Sequence, residues 1–403
     1  MEITLIKQFI PLLAGAGAFL ITYLVIPVII DISHLKHLCD DPADQRKLHK
    51  QATPNLGGIA IFAAIFVSFA VSGYAMESWS PFLAAGLTIL FFSGIKDDIL
   101  VISPLKKLLL QICAIAALAL GGGLIITDLG GVFGFHEIPL WAGAILTFFT
   151  MAVVVNAYNL IDGVDGLAGG TGVIVSLFFG WWFWQAGMMA HAVLAITLTG
   201  SLLAFLKYNF QPASIFMGDT GSQIVGFLLA FFAVSFVKAG VAGGVDGIAP
   251  FTNIVPVLVL SVLIVPLYDT LRVFLVRAFN GKSPFRPDRS HVHHQLLDMG
   301  FTHRTCCYVI YGFNISILGL TMLLAGMEIN LLFSVVLLTT MVLFPTVNIK
   351  RRLLNKFGMQ IPGRPHLKLI EWDNDVRRSM IEKREENRPL VQNQDEGYKE
   401  IAV

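Results

Sequence analysis

Apolar runs of about 20 residues, the length a helix needs to cross the hydrocarbon core of a bilayer, recur from Leu5 almost to Lys350. They lie near residues 5–30, 57–75, 81–95, 106–127, 139–158, 167–186, 189–208, 220–238, 251–279, 305–326 and 330–349. The spacing predicts an all-α, polytopic membrane protein with about eleven transmembrane helices and the lipid bilayer as its surroundings. Only 14% of the 403 residues are charged, against about 25% in a soluble domain. The first run is too long for the apolar part of a signal peptide and lacks a basic leader and a cleavage site, so it reads as a retained helix.

The loops between these runs fall alternately on two sides. One side carries Arg46, Lys47, Lys50, Lys96, Lys106, Lys107, Lys207, Lys282, Arg286, Arg289 and Lys350 to Arg352; the other carries Glu77, Asp128, Glu137, Lys238, Asp246 and Glu328. The excess of cations places the first side in the cytoplasm, the N-terminus outside and the C-terminus inside a plasma membrane. Residues 1–350 then form the membrane domain and residues 351–403 a charged cytoplasmic tail without a catalytic signature. A net charge of +1 and the lack of a basic stripe argue against a nucleic-acid partner. Cys39, Cys113, Cys306 and Cys307 have neither zinc-ligand spacing nor a disulfide framework and read as packing residues.

Within this apolar frame the stretch from Asn156 to Gly170, NAYNLIDGVDGLAGG, is out of place. A carboxylate at the centre of a membrane helix costs roughly 2.5–3.5 kcal/mol, so such residues usually face a cavity, a partner or an ion. Asn156, Asn159, Asp162 and Asp165 recur every third residue and share a drifting helix face. Four further clusters fall on the same cytoplasmic side. Arg46 to Lys50, with His49 and Lys50, precede the glycine-rich helix start Pro54 to Gly58, which suits a phosphate as well as ordinary positive-inside charge. Gly94 to Asp98 ends a helix with the neighbouring carboxylates Asp97 and Asp98, which repel one another unless a cation relieves them; magnesium does so where phosphates are handled, and a salt bridge to Lys96 is the plainer alternative. Asp219 sits in a glycine-flanked turn, GDTGS, preceded by Tyr208, Asn209 and Phe216. The loop SPFRPDRSHVHH places Arg286 and Arg289 before His291, His293 and His294, whose imidazoles fit a diphosphate at least as well as a transition metal. Acidic pairs, backbone anion sites and basic loops converging on one face are what phosphoryl transfer needs.

In that order, DD, NxxNxxDGxDGLA, GDxGS and HxHH resemble the polyprenyl-phosphate N-acetylhexosamine-1-phosphate transferases, a family that includes the phospho-MurNAc-pentapeptide translocase, over roughly residues 1–350. The resemblance implies a UDP-N-acetylhexosamine and a polyprenyl phosphate (undecaprenyl phosphate) as substrates, Mg2+ or Mn2+ as cofactor, and a homodimer. It assigns Asp97 and Asp98 to the acidic pair, Asp162 and Asp165 to the central acidic residues, and Asp219, with Asp98 and Asp162, to the metal. Asp97 then serves as base, as positioner of the lipid phosphate or as metal support, while His291, His293 and His294 join the catalytic set. Lys50 and His49, Asn156 and Asn159, and Asp165, Asn209 and Phe216 fall to substrate binding, with Arg286 and Arg289 on the diphosphate or N-acetyl group. The longer arginine-bearing loop ending in HxHH matches the GlcNAc-1-phosphate branch rather than the pentapeptide branch. An ion-coupled transporter is the rival class; it would show internal repeats and broken helices at midplane, and no repeat is present.

Overall fold

The computed structural model describes residues 2–36, 38–40, 53–100, 102–241, 251–281 and 291–344. Their helices are α1 (Glu2–Leu35), α2 (Gly57–Val71), α3 (Ser80–Leu100), α4 (Pro104–Ala116), α5 (Leu140–Ile161), α6 (Leu167–Gln185), α7 (Met189–Asn209), α8 (Gly218–Val241), α9 (Val255–Val262), α10 (Ile264–Phe279), α11 (Val292–Asp298), α12 (His303–Leu323) and α13 (Ile329–Leu343). A two-residue antiparallel ladder joins β1 (Cys39–Asp40) to β2 (Thr53–Pro54). All eleven apolar runs contain helix among the described residues, but the predicted count of eleven spans is not confirmed. Among the described residues seven helices are long and apolar enough to cross a membrane, and the bent pair α9–α10 makes an eighth. Helices α2 and α13 have 15 residues each, short of the usual span of about 20.

The largest correction falls on the run 251–279, expected to be one helix. It breaks at Leu263 and the two halves diverge by 63°. Pro266 explains the break, because it has no N–H to donate to the carbonyl of Val262 and its ring crowds that position. In lipid a freed carbonyl needs another donor. Asn314 of α12 supplies it, donating through Nδ2 to Ser261 O and Val262 O, both at 3.2 Å. The bend turns α10 into an amphipathic helix that carries Asp269, Arg272 and Arg277.

Helix α8 is the axis of the bundle, with every residue from Thr220 to Val237 buried. A helix apolar on all sides is one surrounded by protein, and α2, α3, α5, α6 and α9 pack around it. Two glycines set how closely its N-terminus is approached. A Cβ on Gly58 of α2 would lie 2.2 Å from Gly221 N, and one on Gly94 of α3 would lie 2.3 Å from Thr220 Cα. Without side chains there, backbones meet backbone, which is how small residues bring membrane helices together. That packing sets the carboxylates at the end of α3 against the first turn of α8.

Candidate active site

Four helix termini meet at one end of the bundle: the C-termini of α3 and α5 and the N-termini of α4 and α8. The adjacent carboxylates Asp97 and Asp98 do not share one cation; they turn to different partners. Asp97 accepts from Lys107 Nζ at 3.0 Å and from Ile102 N at 2.8 Å. Asp98 accepts from three donors in the first turn of α8: Asp219 N at 2.7 Å, Thr220 N at 3.0 Å and Thr220 Oγ1 at 2.6 Å. The α8 N-terminus holds an anion, Asp98, which meets the free N–H groups and the positive end of the helix dipole. Asp98 is thereby a cap with both oxygens engaged.

Lys107 closes the ring. Its Nζ reaches Asp219 Oδ1 as well as Asp97, and Asn159 Nδ2 donates to the same Asp219 oxygen at 2.6 Å and to Ser222 Oγ at 2.7 Å. The sequence reading placed Lys107 among the loop cations and offered Lys96 as the salt-bridge alternative to a metal. Lys96 is exposed. Lys107 lies in the first turn of α4, where its stem crosses to α8. The signal that could have found it is the start SPLKK, a serine and proline marking a helix N-terminus with a cation one turn in.

One helical turn deeper lies a neutral layer. Asn156 Nδ2 donates to Gln111 Oε1 at 2.9 Å, and Gln111 Nε2 donates to Gln223 Oε1 at 3.3 Å. Gln111, Asn156 and Gln223 stand one turn below Lys107, Asn159 and Asp219 respectively, so amides floor the charged layer. Asn156, expected to bind substrate, belongs to this floor.

Asp162 follows the last residue of α5; its N–H donates to Asn159 O at 3.3 Å, and its carboxylate makes no hydrogen bond among the described residues. Burial, with the charges of Asp219, Asp98 and Asp165 added, pushes its pKa up to about 7. The next carboxylate, Asp165, faces away from the ring: Oδ2 lies 3.4 Å from His303 Nδ1 and accepts from Ala213 N at 3.4 Å. Asn209 braces that side, accepting from Gly166 N at 2.9 Å and donating to Ile215 O at 2.8 Å. Phe216 engages through its backbone, N donating to Pro54 O at 2.8 Å and O accepting from Gly57 N at 3.0 Å. With Gly58 N also donating to Met217 O, the start of α2 has spent the amides that were expected to hold a phosphate.

The histidine motif arrives from the other side. His293, on α11, is so close to the loop after α5 that a Cβ on Gly163 would sit 2.7 Å from its Nε2. Its Nδ1 is buried without a hydrogen-bond partner, and burial drives its pKa down to about 3, so the ring is neutral. His291 lies parallel to it with ring centroids 5.6 Å apart, and His294 is tilted against it at 4.4 Å. His291 is held by Asp269 of α10, a buried carboxylate that sequence reasoning passed over although it interrupts an apolar run. The structure therefore brings together Asp97, Asp98, Asn159, Asp162, Asp219 and the histidines, with Asp165 and Asn209 on the flank. His49, Lys50, Arg286, Arg289 and the tail 351–403 lie outside the described residues.

Fold and site define a multi-pass helical membrane protein with a carboxylate ring at one end of its bundle. The model of glycosyl transferase family 4 matches residues 80–237, which hold the acidic pair, the amide-carboxylate stripe and Asp219. The chain is 31% identical over 332 residues to the probable undecaprenyl-phosphate N-acetylglucosaminyl 1-phosphate transferase of Bacillus subtilis strain 168, covering 80% of this chain and 88% of that one. It is 32% identical over 328 residues to the decaprenyl-phosphate N-acetylglucosaminephosphotransferase of Mycobacterium leprae, covering 74% and 80%. It is also 30% identical over 275 residues to the undecaprenyl-phosphate alpha-N-acetylglucosaminyl 1-phosphate transferase of Escherichia coli K12, covering 67% and 72%. The chain belongs to glycosyl transferase family 4.

Proposed function

We propose that the protein transfers N-acetylglucosamine-1-phosphate from UDP-GlcNAc to a polyprenyl phosphate and releases UMP. The observation that carries this reading is the ring itself: a lysine bridging two carboxylates of different helices, beside a third carboxylate without a partner among the described residues and a neutral histidine. A polyprenyl phosphate with a second pKa near 6 is already largely dianionic at neutral pH, so no strong base is required. Its oxygen attacks the β-phosphorus, the bond from that phosphorus to the bridging oxygen breaks, and the electron pair leaves on UMP. Lys107, between Asp97 and Asp219, would offer the diphosphate a fixed positive charge. Neutral His293 offers hydrogen bonding without a second cation. Asp98 keeps α8 in place so that Asp219 stays in the ring.

Magnesium fits these residues. Of the four carboxylates Asp97, Asp98, Asp162 and Asp219, only Asp97 and Asp219 pair with a cation among the described residues, and both pair with the same one, Lys107. No three His, Cys, Asp or Glu side chains among those residues form a site that holds a metal alone, and magnesium asks for less: one or two carboxylates, with phosphate oxygens and water completing its shell. Asp162 and the outer oxygen of Asp219 would hold it. When bound it would neutralise the diphosphate and the leaving UMP.

GlcNAc is favoured over the pentapeptide donor by the HxHH loop and by the names of the relatives. Purified protein given polyprenyl phosphate and magnesium should release UMP from UDP-GlcNAc and leave UDP-MurNAc-pentapeptide untouched; preferential use of the pentapeptide donor would move the chain to the peptidoglycan branch. The ring is placed on the cytoplasmic face on the strength of the loop cations. Cysteines substituted at the exposed positions Glu77 and Lys96 test it with an impermeant thiol reagent. Glu77→Cys should label in intact cells and Lys96→Cys only after the membrane is opened, and the reverse pattern would overturn the orientation.

A further inference from the structure

Asp269 lies in the middle of α10 with 1% of its surface exposed, deep in a segment otherwise suited to lipid or protein core. A carboxylate there is costly unless several donors meet it. Three do. Val292 N donates to Oδ1 at 3.0 Å, Arg272 Nη2 donates to Oδ1 at 2.8 Å, and His291 Nδ1 lies 2.8 Å from Oδ2. Two of the three come from the residues that open α11, the helix presenting His293 and His294. His291 is the N-cap residue of α11 and gives it no side-chain cap. Asp269 supplies that cap from another helix, and the bend at Leu263 aims it there.

A carboxylate that accepts from a guanidinium and a backbone N–H is ionised and acts only as an acceptor. The imidazole facing it must therefore carry a hydrogen on Nδ1. That fixes the neutral tautomer and leaves Nε2 as the nitrogen free to act. Nε2 of His291 makes no hydrogen bond among the described residues, and it is not among their buried unsatisfied atoms.

We propose that Asp269 is a positioning residue of the active site: it locks His291 with its hydrogen on Nδ1 and orients Nε2 toward the diphosphate of the nucleotide sugar. The proposal rests on the UDP-sugar reading for its ligand. Arg272 belongs to the same unit, holding Asp269 ionised. A single carboxylate thus both caps α11 and orients the first histidine of the motif, so that the stacked pair His291 and His293 reaches the Gly163 loop as one rigid piece.

Four variants of the full chain test this: Asp269→Asn, Asp269→Glu, His291→Ala and the double variant Asp269→Asn with His291→Ala. Asp269→Asn should lower kcat/KM for UDP-GlcNAc on the order of 10- to 100-fold, the loss seen when the acidic partner of a functional histidine is removed. Asp269→Glu should restore part of it, and the double variant should be no worse than His291→Ala alone, because the two residues act as a unit. Wild-type turnover in Asp269→Asn, or losses that multiply in the double variant, would overturn the proposal. A 15N-histidine NMR spectrum of the wild-type protein in detergent reads the tautomer without any variant having to fold. A hydrogen on Nδ1 of neutral His291 is expected, and a hydrogen on Nε2 alone would refute the lock. Lack of turnover in the wild type with the Nδ1 tautomer present would instead count against the donor assigned above.

Discussion

Lys107→Met should nearly abolish turnover, on the order of 100-fold or more, the scale of losing one fixed donor to developing charge in a site shielded from water. On the proposed reading two effects act together: the diphosphate would lose its fixed cation, and Asp97, whose side chain is 7% exposed, would keep Ile102 N as its one donor among the described residues. Removing one partner of a buried ion pair costs about 3–5 kcal/mol. The cost here is less, about 2–3 kcal/mol, because Asp219 is one-third exposed and water screens it. The deficit should appear as proton uptake by the carboxylates as well as a lower melting temperature. Steady-state kinetics beside thermal unfolding in detergent separates the two effects. Turnover close to wild type would mean that the lysine is only a structural bridge.

Gly94→Val should have the largest effect on the fold. A Cβ at Gly94 would meet Thr220 Cα at 2.3 Å, Thr220 N at 2.7 Å and Thr220 Oγ1 at 2.9 Å. The two backbone atoms cannot swing aside, and Thr220 N and Oγ1 are two of the three donors that Asp98 uses. Overpacking typically costs about 1–3 kcal/mol, and parting two backbones puts Val at or beyond the upper end. Gly319 on α12 is the control, since a Cβ there meets nothing within 4 Å and Gly319→Ala should gain up to about 1 kcal/mol from helix propensity. The two proteins should differ clearly in detergent-extracted yield and melting temperature. Equal stability of Gly94→Val and wild type would show that α3 and α8 are not locked as described.

The apolar runs were legible because a bilayer leaves the backbone few choices, and each run did become helical, the run 251–279 as two helices. The stripe from Asn156 to Asp165 was legible as a site because lipid gives such residues no other reason to be there. Its internal division was not. Asn156 went to the amide floor, Asn159 to Asp219 and Asp165 to His303, since a turn begins at Asp162 and ends the helical periodicity that made the four look alike. The break at Leu263 was written in Pro266, but its consequence, the aiming of Asp269, depends on the 63° bend, which sequence spacing does not specify. Lys107 and Asp98 show the same limit from the electrostatic side. Charge counting found that the acidic pair needed partners, and only the crossing of α3, α4 and α8 decided that one carboxylate takes a lysine and the other a helix end.

The most direct measurement follows the β-phosphorus. UDP-GlcNAc labelled there, incubated with the protein, polyprenyl phosphate and magnesium, should pass its label into a lipid-extractable diphosphate sugar with unlabelled UMP released in equal amount, and Asp219→Asn should stop both. Label remaining with the nucleotide as UDP while the sugar alone enters the lipid would contradict phosphoryl transfer at this site.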